Sequence, residues 1–160
     1  MTPSSESPHV IGLISDTHGE LRPAVHSALA GVELILHAGD VGGDEILQEL
    51  RLIAPVHAVA GNTDPQGTYQ PELRVTVGGL RIHVSHGHEL GGPTPKKLAV
   101  AYDADVIVYG HTHQQLVTRV DGCLVVNPGA AGPARFKLRP SVGLLTISAG
   151  TADVEIVALD

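Results

Sequence analysis

The sequence contains little sulfur and few aromatic side chains. Among its 160 residues there are one cysteine, one phenylalanine, three tyrosines and no tryptophan. The single thiol of Cys123 cannot form an internal disulfide, and it cannot by itself build a thiolate metal site. Any metal bound by this chain must therefore be held mainly by nitrogen and oxygen atoms.

Positive charge is also scarce. Lys and Arg number 10 against 17 Asp and Glu, so the formal net charge is -7 at pH 7, and there is no basic cluster beyond Lys96-Lys97. Proteins bind the phosphate backbone of nucleic acids mainly through Lys and Arg, which displace counterions. We therefore expect no extended nucleic-acid binding, which argues against a DNA nuclease.

Long hydrophobic segments are missing too. The longest apolar runs have the length of strands, well short of the roughly 20 residues that span a bilayer. The first eight residues lack the basic start and apolar stretch of a signal peptide, so we expect no membrane segment and a cytoplasmic location. Hydrophobic residues make up 42% of the chain. That is enough for one domain over residues 9–160, preceded by a flexible terminus of residues 1–8.

The hydrophobic pattern predicts an α/β protein. In the first half, apolar runs alternate with amphipathic stretches, which favours a parallel sheet with right-handed crossovers. The second half begins with two period-two runs joined by Gly78-Gly79, which predicts a hairpin. The predicted strands are residues 10–15, 34–39, 56–60, 73–77, 80–85, 106–109, 116–120, 123–126, 142–147 and 154–159, and the predicted helices are residues 20–29, 44–53 and 95–102.

Ten strands would make a large single sheet for this length, so two packed sheets flanked by helices are expected. Asp44 is the predicted N-cap of the second helix. The exposed apolar edge from Leu73 to Val84 can pair with its symmetry mate, so we also expect a homodimer.

Several predicted strands end at a side chain that can bind a metal ion. In an open α/β sheet the carboxyl ends of the strands line the ligand crevice, so these side chains should meet there. Two further histidines each lie two residues from one of them, and side chains two apart in an extended segment point to the same side. The seven candidate metal ligands are Asp16, His18, Asp40, Asn62, His86, His111 and His113.

The number and chemistry of these ligands restrict the metal. Seven donors exceed the four of a tetrahedral zinc ion, whereas two ions that share one carboxylate would use them all. Four imidazoles, two carboxylates and one amide suit manganese, iron or zinc. The other histidines have no motif partner and are expected to be structural or surface residues, except His88, which follows His86 closely enough for a role beside the metal or the substrate.

At these residues the sequence resembles the calcineurin-like metallophosphoesterase superfamily, whose motifs are DxH, GD, GN, a later His, and GHxH. They occur in this order as Asp16-Thr17-His18, Gly39-Asp40, Gly61-Asn62, His86-Gly87-His88 and Gly110-His111-Thr112-His113. The loop Asn127-Pro128-Gly129 and the short chain are similar to the small YfcE-type phosphodiesterase branch.

The resemblance implies a four-layer αββα sandwich of two mixed sheets and a dinuclear centre. It implies two divalent ions, most simply Mn²⁺, with Ni²⁺, Zn²⁺ or Fe as alternatives, and a metal-bridging hydroxide that attacks a small phosphodiester in line. A nucleotide-derived ester or cyclic nucleotide is one such substrate. By carry-over, the first ion is held by Asp16, His18, Asp40 and His113. The second is held by Asp40, Asn62, His86 and His111. Asp40 is thus the bridge that positions the hydroxide.

One position departs from the superfamily pattern. Most members carry a histidine directly after the Gly-Asn motif, where it assists the leaving group, but here the residue is Thr63. His88 is then a candidate catalytic residue, and Asn62 and Arg135 are candidate contacts to the substrate phosphate. The alternative function is a protein-interaction scaffold, because a retromer subunit resembles this fold. A scaffold has no need of all seven ligands, and their presence favours catalysis.

Overall fold

The structure is a computed structural model that describes residues 8–133 and 138–159. The predicted terminus therefore lies mostly outside the described residues, as does Arg135. The elements in chain order are β1 (His9–Ile14), α1 (Ala24–Ala28), β2 (Leu34–His37), α2 (Asp44–Leu50), β3 (Val56–Ala58), β4 (Glu72–Val77), β5 (Leu80–Ser85), a 3₁₀ turn (His88–Leu90), α3 (Pro95–Ala101), β6 (Val106–Val108), β7 (Leu116–Val120), β8 (Cys123–Asn127), β9 (Ser141–Ser148) and β10 (Thr151–Ala158).

The strands form two mixed sheets of five strands each. The first has the order β10-β9-β1-β2-β3 and the second the order β4-β5-β6-β8-β7. In the first sheet β1, β2 and β3 are parallel, while β9 and β10 are antiparallel neighbours. In the second, β5, β6 and β8 are parallel, and β4 and β7 are antiparallel edge strands.

Three hydrophobic layers hold the molecule together. Between the sheets, side chains such as Leu36 and Val84 are fully buried. Helices α1 and α2 cover the outer face of the first sheet with residues that include Leu29 and Leu50. Leu98 of α3 covers the outer face of the second sheet. Each such side chain contributes about 1.5–3 kcal/mol on burial. The predicted four-layer αββα sandwich is confirmed.

The helices are shorter than predicted at several ends. Helix α1 begins only after Pro23, because proline lacks the N–H needed within a helix but fits its first turn. Asp44 is not the N-cap of α2, since Gly43 holds that position and no side chain caps it. Helix α3 begins as predicted, with the Thr94 hydroxyl accepting a hydrogen bond from the Lys97 N–H.

The parallel strands of both sheets end on the same side of the sandwich. Within the first sheet, the Asp16 N–H after β1 donates to the Gly39 carbonyl after β2 at 2.9 Å. Between the sheets, the His86 ring after β5 contacts the Ala38 carbonyl at 2.8 Å. The loops that follow these strands are therefore packed together, and they carry the predicted ligands. Among the described residues, no helix is long and apolar enough to cross a membrane.

Candidate metal centre

The structure brings all seven predicted ligands into one continuous cluster. Each side chain contacts the next in a spatial series that runs from Asn62 through His111, His86, Asp40, His18 and Asp16 to His113. Two groups of three have ligand atoms close enough for a single ion: Asp16, His18 and His113, and Asp16, Asp40 and His86. The cluster is therefore a candidate metal centre with more donors than one tetrahedral ion requires.

One oxygen of the Asp16 carboxylate accepts hydrogen bonds, and the other faces three histidine rings. Oδ2 accepts hydrogen bonds from the Ser15 hydroxyl at 2.7 Å and from the His111 N–H at 3.2 Å. Oδ1 has no hydrogen-bond partner within the described chain, although the residue is fully buried. The Nε2 atoms of three imidazoles surround it at 3.5–3.7 Å, those of His18, His86 and His113.

These distances are too long for hydrogen bonds, yet a buried carboxylate oxygen is costly to leave unpaired. Nitrogen and oxygen donors facing a common centre are what a divalent cation requires. The residues present therefore fit a metal ion.

Asp40 and His86 lie in the middle of the cluster and interact electrostatically with each other. Asp40 Oδ2 lies 3.3 Å from His86 Nε2 and 3.6 Å from His18 Nε2, and its Oδ1 accepts the Thr63 N–H at 2.9 Å. Burial alone would raise the pKa of Asp40, but His86 and Thr63 together hold it well below the usual range. Burial likewise opposes the charged form of His86, and the two carboxylates nevertheless raise its pKa. This part of the site thus favours positive charge.

At the outer side of the cluster, Asn62 and His111 approach each other. Asn62 Oδ1 lies 3.2 Å from His111 Nδ1, and the His111 ring packs against the His86 ring with centroids 5.3 Å apart. The pKa of His111 is lowered, mainly by burial and by the neighbouring His86. A neutral imidazole is the form that binds metal.

The backbone at the ligands differs from the extended segments that the sequence suggested. Seven non-glycine residues in the described chain have positive φ, and five of them are predicted ligands: Asp16, His18, Asp40, His111 and His113, at φ between 48° and 73°. Each such residue costs roughly 1–3 kcal/mol and persists only where its surroundings enforce it. The structure brings these side chains together through left-handed turns rather than through the expected extended backbone.

Two motif glycines allow these loops to approach closely. A Cβ on Gly61 would overlap the amide nitrogen and carboxylate of Asp40, and a Cβ on Gly110 would overlap the Ser15 hydroxyl. Neither glycine has a φ in the left-handed region. They are required for space rather than for conformational freedom, because ligand-bearing loops pass directly against them.

Sequence reasoning missed Asp64, which joins two ligand loops. Its carboxylate accepts the N–H groups of Val41 and Gly42 at 3.1 Å each and of Gly61 at 2.9 Å. Three backbone donors on one buried carboxylate fix the loop after Asp40 against the loop that carries Asn62. An aspartate two residues after a Gly-Asn motif was the available signal.

His37 is a second structural link. The Gly39 N–H donates to its Nδ1 at 3.1 Å, so its Nε2 carries the proton and donates to the Thr17 hydroxyl at 3.0 Å. That hydroxyl in turn donates to the Val41 carbonyl at 2.7 Å. Complete burial lowers the pKa of His37 to about 4. A neutral histidine thus ties the Asp16–His18 loop to the Asp40 loop.

The predicted Asn127-Pro128-Gly129 loop acts on the last ligand motif. The Asn127 amide donates to the Gly110 carbonyl at 3.2 Å and to the Thr112 hydroxyl at 2.9 Å, and its oxygen accepts the Gly129 N–H at 2.9 Å. These bonds hold the backbone around His111 and His113. The motif noted in the sequence therefore has a structural reason.

The other singled-out residues lie beside or outside the cluster. The His88 ring is 5.4 Å from the His86 ring, and Thr63 is exposed with its N–H on Asp40. His9 and His26 contact Glu33 and Glu49 on the surface, His57 is exposed, and His83 is buried against the Tyr102 ring at 3.8 Å. None of these last four contacts any of the seven candidate ligands within the described chain.

Comparison with known proteins identifies the family. The model of the calcineurin-like phosphoesterase superfamily domain matches residues 10–150. This chain belongs to that superfamily. The predicted resemblance is confirmed. Membership of a metallophosphoesterase family implies that the cluster is a site for divalent metal.

Relatives share most of the length of this phosphoesterase. A protein named as a probable metallophosphoesterase from Methanothermobacter thermautotrophicus is 38% identical over 158 residues, covering 92% of this chain and 91% of the relative. A phosphodiesterase of Methanocaldococcus jannaschii is 30% identical, covering 74% and 82%. Among solved structures, the zinc complex of Vps29 from Entamoeba histolytica has a TM-score of 0.76 at 26% identity, covering 94% and 99%.

Proposed function

We propose that this phosphoesterase is a metal-dependent phosphodiesterase that hydrolyses small phosphodiesters, with two divalent ions in the cluster. The observation that carries the proposal is the Asp16 oxygen surrounded by three imidazole nitrogens and linked through His86 to Asp40. The phosphodiesterase relative supports the reaction class. Manganese is the metal we expect, with nickel, zinc and iron as alternatives; zinc in Vps29 shows only what that protein binds.

We propose the ligand sets that the family resemblance implies: Asp16, His18, Asp40 and His113 for one ion, and Asp40, Asn62, His86 and His111 for the other. Asp40 is the proposed bridge because its Oδ2 lies closer than Asp16 Oδ1 both to His18 of the first set, at 3.6 Å against 3.7 Å, and to His86 of the second, at 3.3 Å against 3.7 Å. Bound divalent ions would supply Lewis acidity to phosphate oxygens and activate water. Asn62, at the exposed side of the cluster, would orient the substrate phosphate. We propose the same role for Arg135, which lies outside the described residues.

Activity and metal content test this proposal separately. The wild-type chain should hydrolyse a bis-aryl phosphate faster than a mono-aryl phosphate when assayed across manganese, nickel, zinc and magnesium. Asp40→Asn should lower activity by several orders of magnitude and lose both ions in elemental analysis, whereas Asp16→Asn should lose mainly one. His88→Ala is the control and should retain its metal. Two ions per chain in Asp40→Asn would contradict the assignment of the bridge.

The exposed Thr63 side chain predicts how the rate depends on the leaving group. With no imidazole there, the departing oxygen lacks its usual proton donor, so aryl esters should react far faster than alkyl esters. Thr63→His should raise activity selectively on alkyl esters, because general acid catalysis contributes about 10²–10⁴-fold. A series of aryl and alkyl diesters measured with both proteins checks this. If the wild type treats all leaving groups alike, another acid acts, and His88→Ala identifies whether it is His88.

The second candidate function is a protein-interaction scaffold. The likeness to Vps29 supports it, although the complete ligand set favours catalysis. Hydrolysis of neither aryl ester with any of the four metals would favour the scaffold.

A homodimer remains a further proposal. Strand β4 has a free edge in its sheet, although Leu73, Val75 and Val77 pack against the core. Sedimentation that shows only a 16.6 kDa species would rule the dimer out.

A further inference from the structure

A cavity of about 690 Å³ lies at the side of the sandwich formed by one edge strand of each sheet. Helix α2, strand β3, residues 67–70 and strand β4 form its walls, and β3 and β4 are the outermost strands of their sheets. None of the seven proposed metal ligands lines it. Its volume is within the range of about 300–1,000 Å³ that is typical of sites for small molecules.

Two arginines give this cavity its charge. Elsewhere in the described chain, Arg22, Arg81 and Arg119 each have a carboxylate oxygen within 4.0 Å. Arg51 and Arg74 are exposed and line the cavity, and neither guanidinium group makes an ion pair or a hydrogen bond with any described residue. In a chain of net charge -7, two guanidinium groups without a carboxylate partner on one cavity create a local site for an anion. Arginine binds phosphate in particular through two parallel N–H bonds.

The rest of the lining is suited to the uncharged part of a ligand. Leu47 and Leu73 provide apolar surface, and the half-buried ring of Tyr69 provides an aromatic face. Burial raises the pKa of Tyr69, and the nearby Asp44 adds to this, so its hydroxyl stays a neutral hydrogen-bond donor. Asp44 also lines the cavity, but its carboxylate is engaged by the Gln48 amide at 3.1 Å.

We propose that this cavity binds a phosphate-bearing small molecule of mononucleotide size, with Arg51 and Arg74 on the phosphate and Tyr69 against the ring. The site is separate from the metal centre and does not depend on the proposed function. The two are joined by the chain itself, because residues 67–70 follow directly on the segment that carries Asn62 and the Asp64 carboxylate.

Binding of adenosine 5′-monophosphate to the ¹⁵N-labelled full chain tests the proposal, both as purified and after chelation of metal. In both states the amide signals of Arg51, Thr68, Tyr69 and Arg74 should shift on titration. The double variant Arg51→Gln/Arg74→Gln should bind at least tenfold more weakly, while Arg119→Gln, which alters an arginine paired with Asp153, should bind as the wild type does. Adenosine and inorganic phosphate, used alone, should each bind at least tenfold more weakly than the nucleotide.

Three results would overturn this assignment. Signal shifts confined to the surroundings of Asp16 and Asp40, or equal affinity in the double variant, would place the nucleotide elsewhere. Tighter binding of a polyglutamate peptide would assign the cavity to an extended acidic chain. Loss of a dimer in the double variant, without nucleotide binding to the wild type, would assign the arginines to an interface between copies. Thermal melting of each variant confirms that it is folded.

Discussion

In the described chain, residues other than glycine adopt the left-handed backbone conformation in two regions, the hairpin turns and the metal centre, and its origin differs between them. The turn residues Asp121 and Ala149 have φ of 49° and 52°, each followed by a glycine with open space around it. Such two-residue turns favour positive φ because their twist matches that of the strands they connect. Here the conformation is a local property that a short sequence specifies.

At Asp16 and Asp40 of the metal centre the same conformation is imposed from outside the loop. Asp16 and Asp40 have φ of 54° and 55°, but neither is followed by glycine. Their backbones are held by hydrogen bonds to other loops, such as the His18 N–H on the Asp40 carbonyl at 3.0 Å. Long-range contacts therefore maintain the strained backbone that directs the ligands inward. Substitutions that act on one region and spare the other can test this difference.

The largest difference is expected between two glycines. Gly61 is limited by space, whereas Gly122 has φ of 84° and nothing within 4 Å of an added Cβ. Gly61→Ala should cost roughly 3 kcal/mol or more, since an inserted methyl group must displace Asp40. Gly122→Ala should cost about 1 kcal/mol for the left-handed backbone alone.

Urea unfolding at pH 7, with metal content measured in parallel, checks both glycine variants. Only Gly61→Ala should also lose metal. Equal losses of stability would mean that the metal loops adapt as easily as a hairpin turn.

A smaller difference is expected between two aspartates. Asp64→Asn replaces one acceptor oxygen by an NH₂ group, which then faces an N–H among Val41, Gly42 and Gly61. The free energy of unfolding should fall by about 2 kcal/mol, because a charged acceptor is lost and a buried donor is left unpaired. Metal affinity should weaken as the Asp40 and Asn62 loops separate.

The matched control for this aspartate is Asp121→Asn in the hairpin. Asparagine tolerates positive φ, so stability should change by less than about 0.5 kcal/mol. Calorimetric titration with Mn²⁺ and urea unfolding measure the two effects, and unchanged metal affinity in Asp64→Asn would show that the loops hold their positions without it.

The same contrast explains what the sequence could reveal. The ligands were predictable because each follows an apolar strand, and parallel strands end together; the hairpin of β4 and β5 was predictable from Gly78-Gly79. The supporting contacts were not, because Asp64 and His37 act across 20 or more residues through hydrogen bonds that no local pattern encodes. Helix α1 was overestimated because its apolar spacing continued upstream of Pro23.

The smallest expected effect is a pH dependence of the free energy of unfolding that arises from His37 at the metal centre and has no counterpart in the hairpin turns. His37 is fully buried and neutral, with its pKa lowered from 6.5 to about 4, chiefly by burial. Between these two values the unfolded chain binds a proton that the folded chain does not. Stability from this group is therefore complete above pH 6.5 and falls by about 1.4 kcal/mol per pH unit as the pH decreases towards 4. At pH 5.5 the loss should be about 1.4 kcal/mol.

Urea unfolding of the chelated protein between pH 7.5 and 4.5 measures this dependence. In His37→Gln the free energy of unfolding should fall less steeply with decreasing pH, by about 1.4 kcal/mol per pH unit. The variant should nevertheless be less stable at pH 7, because the hydrogen bond to Thr17 is lost. His57→Gln, which removes an exposed histidine, should leave the slope unchanged. Should His37→Gln not fold, the ¹⁵N shifts of the His37 ring in the wild type give the same answer. A ring that protonates near pH 6.5 in the folded protein would mean that the link between the two ligand loops is open to solvent.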